Sequence, residues 1–323
     1  MKAFITGGTG FIGSHLVDFL ISGDAEVRCL VRNQEKWLEG KQYTKVIGDM
    51  HDLPVLQKGM KDADIVFHLA GLVKAPDYPE FYRVNVDATE NVIRMARKCG
   101  VKKIVILSSL AAAGPSNGTP LAEDDQHEVV SMYGKSKKKM EEMIHSLSDE
   151  KTSITIIRPP AVYGPREDQI YSLFKMASKG IFPILGKKGA DKRLSLIYVS
   201  DLVEGMMLAA NNQKKGVETY YISSEKTYTW EEVKTATSNV LNKRLQVIYL
   251  KPAVAKKIAG TIEQVSSFFG HYPVINREKA NEMILEWTCS VEKAKKELDY
   301  RQHVPLETGI TKTINWYKKH NWL

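Results

Sequence analysis

Residues 6–13 read Thr-Gly-Gly-Thr-Gly-Phe-Ile-Gly, and no other stretch narrows the fold so far. Before them runs a short apolar segment with the composition of a strand. After them, Phe11–Ser22 has helical spacing, with Ile12, Leu16, Phe19 and Leu20 on one side. Gly8, Gly10 and Gly13 give the G-x-G-x-x-G spacing of a strand–turn–helix unit that holds a pyrophosphate. Glycines there permit a tight turn, close approach of backbone to phosphate, and close packing of helix on sheet. The helix N-terminus adds unpaired N–H groups and the positive end of its dipole.

Strands and helices alternate through the first half. Strands are predicted at residues 25–31, 45–48, 63–69, 103–108 and 153–158. A short helix starts at Leu53, and longer ones span 79–99 and 132–148. The strands are near-continuous apolar runs, as in parallel strands buried on both faces. The alternation predicts an α/β fold, a Rossmann doubly wound parallel sheet with right-handed crossovers and ligands at the carboxyl ends of its strands. Gly13, the His68-Leu69-Ala70-Gly71 run, Ser108-Ser109 and Arg158-Pro159-Pro160 all follow strands closely and converge there.

The second half is less regular. Helices are predicted at 168–179, 201–211, 230–241, 252–269, 292–298 and 306–320, and strands at 194–199, 219–222 and 246–250. We divide the chain into a dinucleotide-binding domain at 1–165, to which 194–222 returns, and a smaller, interleaved C-terminal substrate-binding lobe at 166–193 and 223–323.

The net charge of +8 is spread over lysine pairs such as Lys187-Lys188, Lys214-Lys215 and Lys256-Lys257. That reads as solvated surface, without the clustering and aromatics of a nucleic-acid face. Cys29, Cys99 and Cys289 are odd in number, far apart and without metal-ligand spacing, which fits a reducing compartment. The N-terminal apolar run enters the glycine turn directly, unlike a signal peptide. No apolar stretch approaches the ~20 residues of a membrane span. A soluble, cytoplasmic protein with a small-molecule substrate is expected.

The second strand decides the cofactor. An acidic residue ~20 residues after the glycines would grip the adenosine ribose. Here Arg32 stands there, in Leu30-Val31-Arg32-Asn33. An arginine cannot accept from ribose hydroxyls, but it pairs with a 2′-phosphate and stacks on adenine. NADP(H) is therefore preferred, with NAD(H) as the alternative. Arg28 and Lys36 are weaker candidates. Asp49-Met50, after the third strand, is placed to meet the adenine amino group and ring.

Tyr133-Gly-Lys-Ser-Lys137 opens a helix with Tyr133 and Lys137 one turn apart. A phenol near ~10 is a poor proton donor or acceptor at neutral pH. A nearby ammonium favours the phenolate and draws the tyrosine towards a general acid–base range. His68 and His127 are the other candidate proton carriers, and His68, at a buried strand end, reads as structural.

Together, residues 6–13, Asp49, residues 68–71, Asn85, Ser108-Ser109, Tyr133 with Lys137, and the run 158–166 follow the order of the extended short-chain dehydrogenase/reductases. The chain resembles that family over most of its length, including residues 287–300 and Trp316-Tyr317. The resemblance implies catalysis by Ser109, Tyr133 and Lys137. Tyr133 would be the general acid–base, Lys137 would hold the nicotinamide ribose, and Ser109, five residues before Gly114, would bind the substrate oxygen. It implies a cofactor bed of Gly7, Gly10, Phe11, Ile12, Gly13, Leu69, Ala70, Gly71, Asn85 and Ser108, with Pro159 and Val162 at the nicotinamide end. It also implies a homodimer through helices 79–99 and 132–148, with Met95, Met140 and Met143 as contributors.

Residues 192–203 are similar to a stretch of the dihydroflavonol reductase and beta-hydroxysteroid dehydrogenase group. Nucleotide-sugar epimerases carry a diphosphate-gripping arginine where Leu194 stands, and Arg193 is one residue off. Ala112-Ala113-Gly114 also departs from the Val-Tyr-Gly of many sugar epimerases. Phe174, Ile181, Phe182, Ile184 and Leu185 suit a hydrophobic carbonyl substrate or a lobe core. Asp201 is expected to cap a helix, and Arg166 and Lys74 to lie near the cleft. We favour an NADP(H)-dependent reductase of a small hydrophobic carbonyl. The alternatives are a nucleotide-sugar epimerase or dehydratase with tightly bound NAD(P), and a non-catalytic NADP-sensing protein.

Overall fold

The computed structural model describes residues 1–186, 189–268 and 277–323, with backbone alone for 264–268 and 277. The Lys187-Lys188 pair and Phe269, the last residue of one predicted helix, lie outside the described residues. In chain order the first half contains β1 (Lys2–Thr6), α1 (Phe11–Ser22), β2 (Glu26–Val31), β3 (Thr44–Ile47), α2 (Leu53–Met60), β4 (Ile65–His68), α3 (Tyr78–Tyr82), α4 (Ala88–Lys98), β5 (Lys103–Leu107), α5 (Met132–Ser146) and β6 (Ser153–Arg158). The second half contains β7 (Ala161–Tyr163), α6 (Tyr171–Ser178), β8 (Ile181–Leu185), β9 (Arg193–Leu194), β10 (Leu196–Tyr198), α7 (Val199–Asn211), β11 (Gly216–Tyr221), β12 (Tyr228–Thr229), α8 (Trp230–Leu241), β13 (Gln246–Leu250), α9 (Pro252–Phe268), α10 (Arg277–Glu282), α11 (Glu292–Leu298) and α12 (Leu306–Lys319).

Seven parallel strands form the central sheet in the order β11-β6-β5-β4-β1-β2-β3. Alternate residues of one strand feed opposite cores, as the period of two requires. Ala3 and Ile5 join Leu16, Val17, Leu202 and Met206 beneath α1 and α7. Phe4 and Val66 join Leu56, Val92, Met140 and Ile144 beneath α2, α4 and α5. Both faces are thus covered, which is why the strands read as continuous apolar runs. The strand order reverses between β1 and β4, and the crevice at their carboxyl ends is the expected ligand position.

Several expectations change. Phe19 does not join the inner stripe of α1 and is 46% exposed, because Gly13, Leu16, Val17 and Leu20 share the buried arc. The single helix expected at 79–99 is interrupted by a wide turn at Arg83–Asp87, where the Ala88 N–H reaches back to the Arg83 carbonyl. Met95 and Met140 are buried in the chain's own core, and Met143 packs against it. Met143 is only partly buried, so its outer side stays open to solvent.

A third core is built by α6, β8, β10, α8 and α12, and Tyr163, Leu194, Leu196 and Tyr198, outside the expected lobe, contribute to it. Phe174, Phe182 and Ile184 belong to it, and residues 181–185 form a strand parallel to β13, with Ile181 and Leu185 partly exposed. Asp201 lies within the first turn of α7, whose N-cap is Tyr198. It is buried and accepts the Val304 N–H at 3.0 Å, so it ties the chain before α12 to α7 and caps no helix. No helix among the described residues is long and apolar enough to cross a membrane.

Candidate functional site

The glycine turn is held by Gly7, not Gly8. Gly7 has φ +77°, and a Cβ there would stand 2.6 Å from the Ala70 nitrogen. A Cβ on Gly13 would stand 2.1 Å from the Gly7 carbonyl oxygen. Gly10 donates to that same oxygen at 3.0 Å and starts α1 with its own carbonyl. The spacing that the geometry needs is therefore Gly7-x-x-Gly10-x-x-Gly13, with Phe11 and Ile12 in the first helical turn. Gly8 has ordinary backbone and faces Cys29 from the other side. The cradle has room only for backbone and a ligand, which fits a pyrophosphate on the free N–H groups of α1.

A chain of hydrogen bonds fixes the neighbouring strand end. The Leu69 N–H donates to the Thr6 carbonyl at 3.0 Å, so β1 and β4 leave the sheet together. His68 is buried, with Nδ1 2.6 Å from the Thr6 hydroxyl and Nε2 2.8 Å from the Thr89 hydroxyl. Burial pushes its imidazole down to about 3, which leaves it neutral and structural. His127 Nδ1 is 2.7 Å from the Pro115 carbonyl oxygen.

Asn85 occupies the wide turn and is fully buried. Its Oδ1 accepts the Leu72 N–H at 2.8 Å, and its Nδ2 donates to the Leu72 carbonyl at 3.0 Å and to the Ser136 hydroxyl at 2.9 Å. Ser136 donates in turn to the Tyr133 carbonyl at 2.7 Å. One side chain thus ties the 70–72 loop to the first turn of α5. A Cβ on Gly71 would meet Asn85 Oδ1 at 3.0 Å and Lys137 Nζ at 3.3 Å.

Tyr133 begins α5 just after its N-cap, Ser131, and its ring packs against Phe81. Burial lifts the phenol to about 12, and the hydrogen bond with Ser109 opposes that rise. The expectation of a tyrosine drawn towards neutrality fails in the chain alone, because desolvation dominates and the Glu282 and Glu141 carboxylates push the same way. Lys137 is itself buried and is lowered to about 8, Glu141 opposing the fall. It donates to the Leu107 carbonyl at 2.9 Å, at the end of β5. Ser109, not Ser108, is the hydroxyl beside the phenol. Ser109 Oγ also accepts the Ala111 N–H at 3.2 Å.

Ser108 points the other way, into a buried ionic network that the sequence reading missed. Its hydroxyl donates to Glu141. Glu141 pairs with Arg158 at 2.6 Å, and Arg158 also donates to the Glu123 carbonyl at 2.8 Å. The signal was present: Glu141 stands one turn beyond Lys137, as Lys137 stands one turn beyond Tyr133. The Pro159 carbonyl accepts the Leu110 N–H at 2.9 Å, which joins the ends of β5 and β6. Val162 lies in β7, paired with β10.

At the other end of the crevice, Arg32 follows β2 directly, is exposed, and has no carboxylate partner among the described residues. Arg28 is committed to Glu26 and to the Gly59 and Lys61 carbonyls. Asp49 accepts the His51 N–H at 3.0 Å, and Met50 is buried in the core with Leu56 and Met60. Lys36 and Lys74 are exposed. Arg166 clamps the lobe to α1, donating to Ser14 at 3.0 Å and Asp18 at 2.7 Å and stacking over Trp37. Arg193 is bound to the Thr227 hydroxyl at 2.7 Å and carbonyl at 2.9 Å, and Leu194 is buried in the third core.

A parallel sheet of this order, with a glycine cradle at its switch point, defines a Rossmann-type dinucleotide-binding fold. The chain belongs to the NAD dependent epimerase/dehydratase family, which matches residues 3–223, and within it to the NAD(P)-dependent oxidoreductases and epimerases. It is 28% identical to the ceramide reductase of Caulobacter vibrioides, over 99% of this chain and 95% of that one. It is 29% identical to the N-acetyl-alpha-D-glucosaminyl-diphospho-ditrans,octacis-undecaprenol 4-epimerase of Escherichia coli O157:H7, over 77% of this chain and 75% of that one. Among solved structures, MoeE5 in complex with UDP-glucose and NAD has the same fold, with a TM-score of 0.79 and 25% identity over 99% of this chain and 100% of that one.

Proposed function

We propose that the chain is an NADP(H)-dependent reductase of a hydrophobic carbonyl compound, or the dehydrogenase of the corresponding alcohol. The observation that carries this reading is the joint placement of Ser109, Tyr133 and Lys137, with the phenol hydrogen-bonded to Ser109 and Lys137 one turn further along α5. A bound nicotinamide dinucleotide supplies or accepts the hydride. The glycine turn holds its pyrophosphate, with Leu69, Ala70, Gly71, Pro159 and Val162 along the nicotinamide side. Lys137 binds the adjoining ribose and Asn85 keeps the 70–72 loop in place. Ser109 donates to the substrate oxygen as negative charge grows there, and Tyr133 gives it a proton. A phenol held near 12 is protonated at neutral pH, which suits the reductive direction.

Arg32 supports NADP(H), because a free guanidinium at that strand end matches a 2′-phosphate. The lobe formed by 166–193 and 223–323 receives the substrate. Two observations favour the reductase over the nucleotide-sugar epimerase. Arg193 is held by the Thr227 hydroxyl and carbonyl, and the position where the epimerases carry their arginine is a buried leucine. The names of two relatives, a ceramide reductase and an undecaprenol-linked epimerase, support a substrate with a long apolar part.

The test is NADPH oxidation by the purified chain with a panel of apolar aldehydes and ketones. Tyr133→Phe should bind NADPH normally and lose most turnover. Near-normal turnover in that variant overturns the assignment. Conversion of a UDP- or GDP-sugar with no net change in cofactor selects the epimerase instead, and NADPH binding with neither reaction selects the sensor.

A further inference from the structure

The lobe carries a surface that this chemistry does not use. Residues 233–262 hold six cations, Lys234, Lys243, Arg244, Lys251, Lys256 and Lys257, and no carboxylate. Five apolar side chains of the same segment stand in solvent: Ile248 at 41% exposure, Tyr249 at 49%, Val254 at 45%, Ile258 at 49% and Ile262 at 37%. The last three recur every fourth residue of α9 and so form one stripe, with Ala259 buried beneath the helix. Lys257 lines the stripe's edge. Lys234 pairs with Glu231, but Arg244, Lys251, Lys256 and Lys257 have no carboxylate partner among the described residues.

We propose that α9 and the end of β13 dock this lobe on an anionic lipid surface, with the apolar stripe among the upper acyl chains and the cations at headgroup level. Charge selects this occupant. A twofold contact with a second copy through the stripe is self-complementary, so it would press Lys256, Lys257 and the neighbouring Lys251 against the same three cations of the other copy. A lipid surface of opposite sign takes both the stripe and its charges, and an apolar face flanked by lysines is the form of an interfacial helix. Helix α9 packs on α10, and Glu278 of α10 accepts the Met132 N–H, at the start of α5, at 3.2 Å. The docking itself is read without substrate, so it stands or falls apart from the reaction proposed above.

Sedimentation of the full chain with vesicles tests this, using phosphatidylglycerol mixed into phosphatidylcholine against phosphatidylcholine alone. The chain should bind the anionic vesicles and release as salt rises. Lys257→Ala should weaken binding by about fivefold, the effect of one cation near such a surface. Ile258→Glu should weaken it by about tenfold or more, since it places a charge within the apolar stripe. Both positions are exposed, so circular dichroism and NADPH binding should be unchanged. Absence of wild-type binding to anionic vesicles overturns the proposal, as does binding that Ile258→Glu leaves intact. A dimer that Ile258→Glu dissolves, without vesicle binding, would seat a second copy on the stripe and overturn it equally.

Discussion

Glu141→Ala should cost about 3–5 kcal/mol of folding free energy, the range for breaking a buried ion pair by removing one partner. The side chains of Glu141 and Arg158 are 5% and 7% exposed. Three guanidinium–carboxylate contacts join them, at 2.6, 3.1 and 3.1 Å, and Ser108 donates to the same carboxylate. After the change, Arg158 keeps only the Glu123 carbonyl at 2.8 Å and the Tyr221 hydroxyl at 3.4 Å. Its charge would lose its directly paired carboxylate, with little water to replace it and the Glu123 carboxylate, not bonded to it, left in electrostatic reach. At ~2 °C per kcal/mol for a long chain, the thermal midpoint should fall by about 6–10 °C, read by far-UV circular dichroism. The apolar pair Glu141→Leu with Arg158→Met removes both charges and should cost far less, on the order of 1 kcal/mol. A loss below ~1 kcal/mol in Glu141→Ala would refute the reasoning. So would a double variant whose cost equals the sum of its singles.

Lys137, lowered to about 8 by burial, should set an alkaline limit on carbonyl reduction, with turnover falling as pH rises through that value. Stability should move the other way there. The unfolded lysine keeps its proton to ~10.4, so between the two values the unfolded chain binds more protons and stability rises with pH. Paired rate and melting profiles check both signs. Arg32→Ala should weaken NADPH binding by roughly 10–100-fold and leave NADH binding unchanged, measured by fluorescence titration. Gly7→Ala forces a side chain at φ +77° against the Ala70 nitrogen. It should lower stability by at least about 1–2 kcal/mol and abolish dinucleotide binding, read by melting and titration.

The α/β alternation was legible because burial on both faces leaves strands apolar and helices periodic. Helix α1 and strand β6 fall at their predicted bounds for that reason. The lobe was harder. Strand β8 is five residues long and partnered only by β13, more than sixty positions later, so nothing local marks it. At the site, the residue types were visible but not their directions. Adjacent serines look equivalent in a sequence, yet the backbone after β5 turns Ser108 to Glu141 and Ser109 to Tyr133. The glycine run offers two spacings, and only the contact with Ala70 selects Gly7. Tyr133 was read through its lysine, whereas desolvation, a property of packing, dominates both groups.

The wide turn at Arg83–Asp87 leaves the long helix with a phase slip. One extra residue in a turn rotates everything beyond it by about 100°. The apolar face that α4 lays on the sheet is therefore not a continuation of the face that α3 presents, although the axis runs on. The two halves meet different neighbours, α5 for α3 and the sheet with α2 for α4. Asn85 sits at the dislocation, and from there its side-chain amide reaches both Leu72 and Ser136.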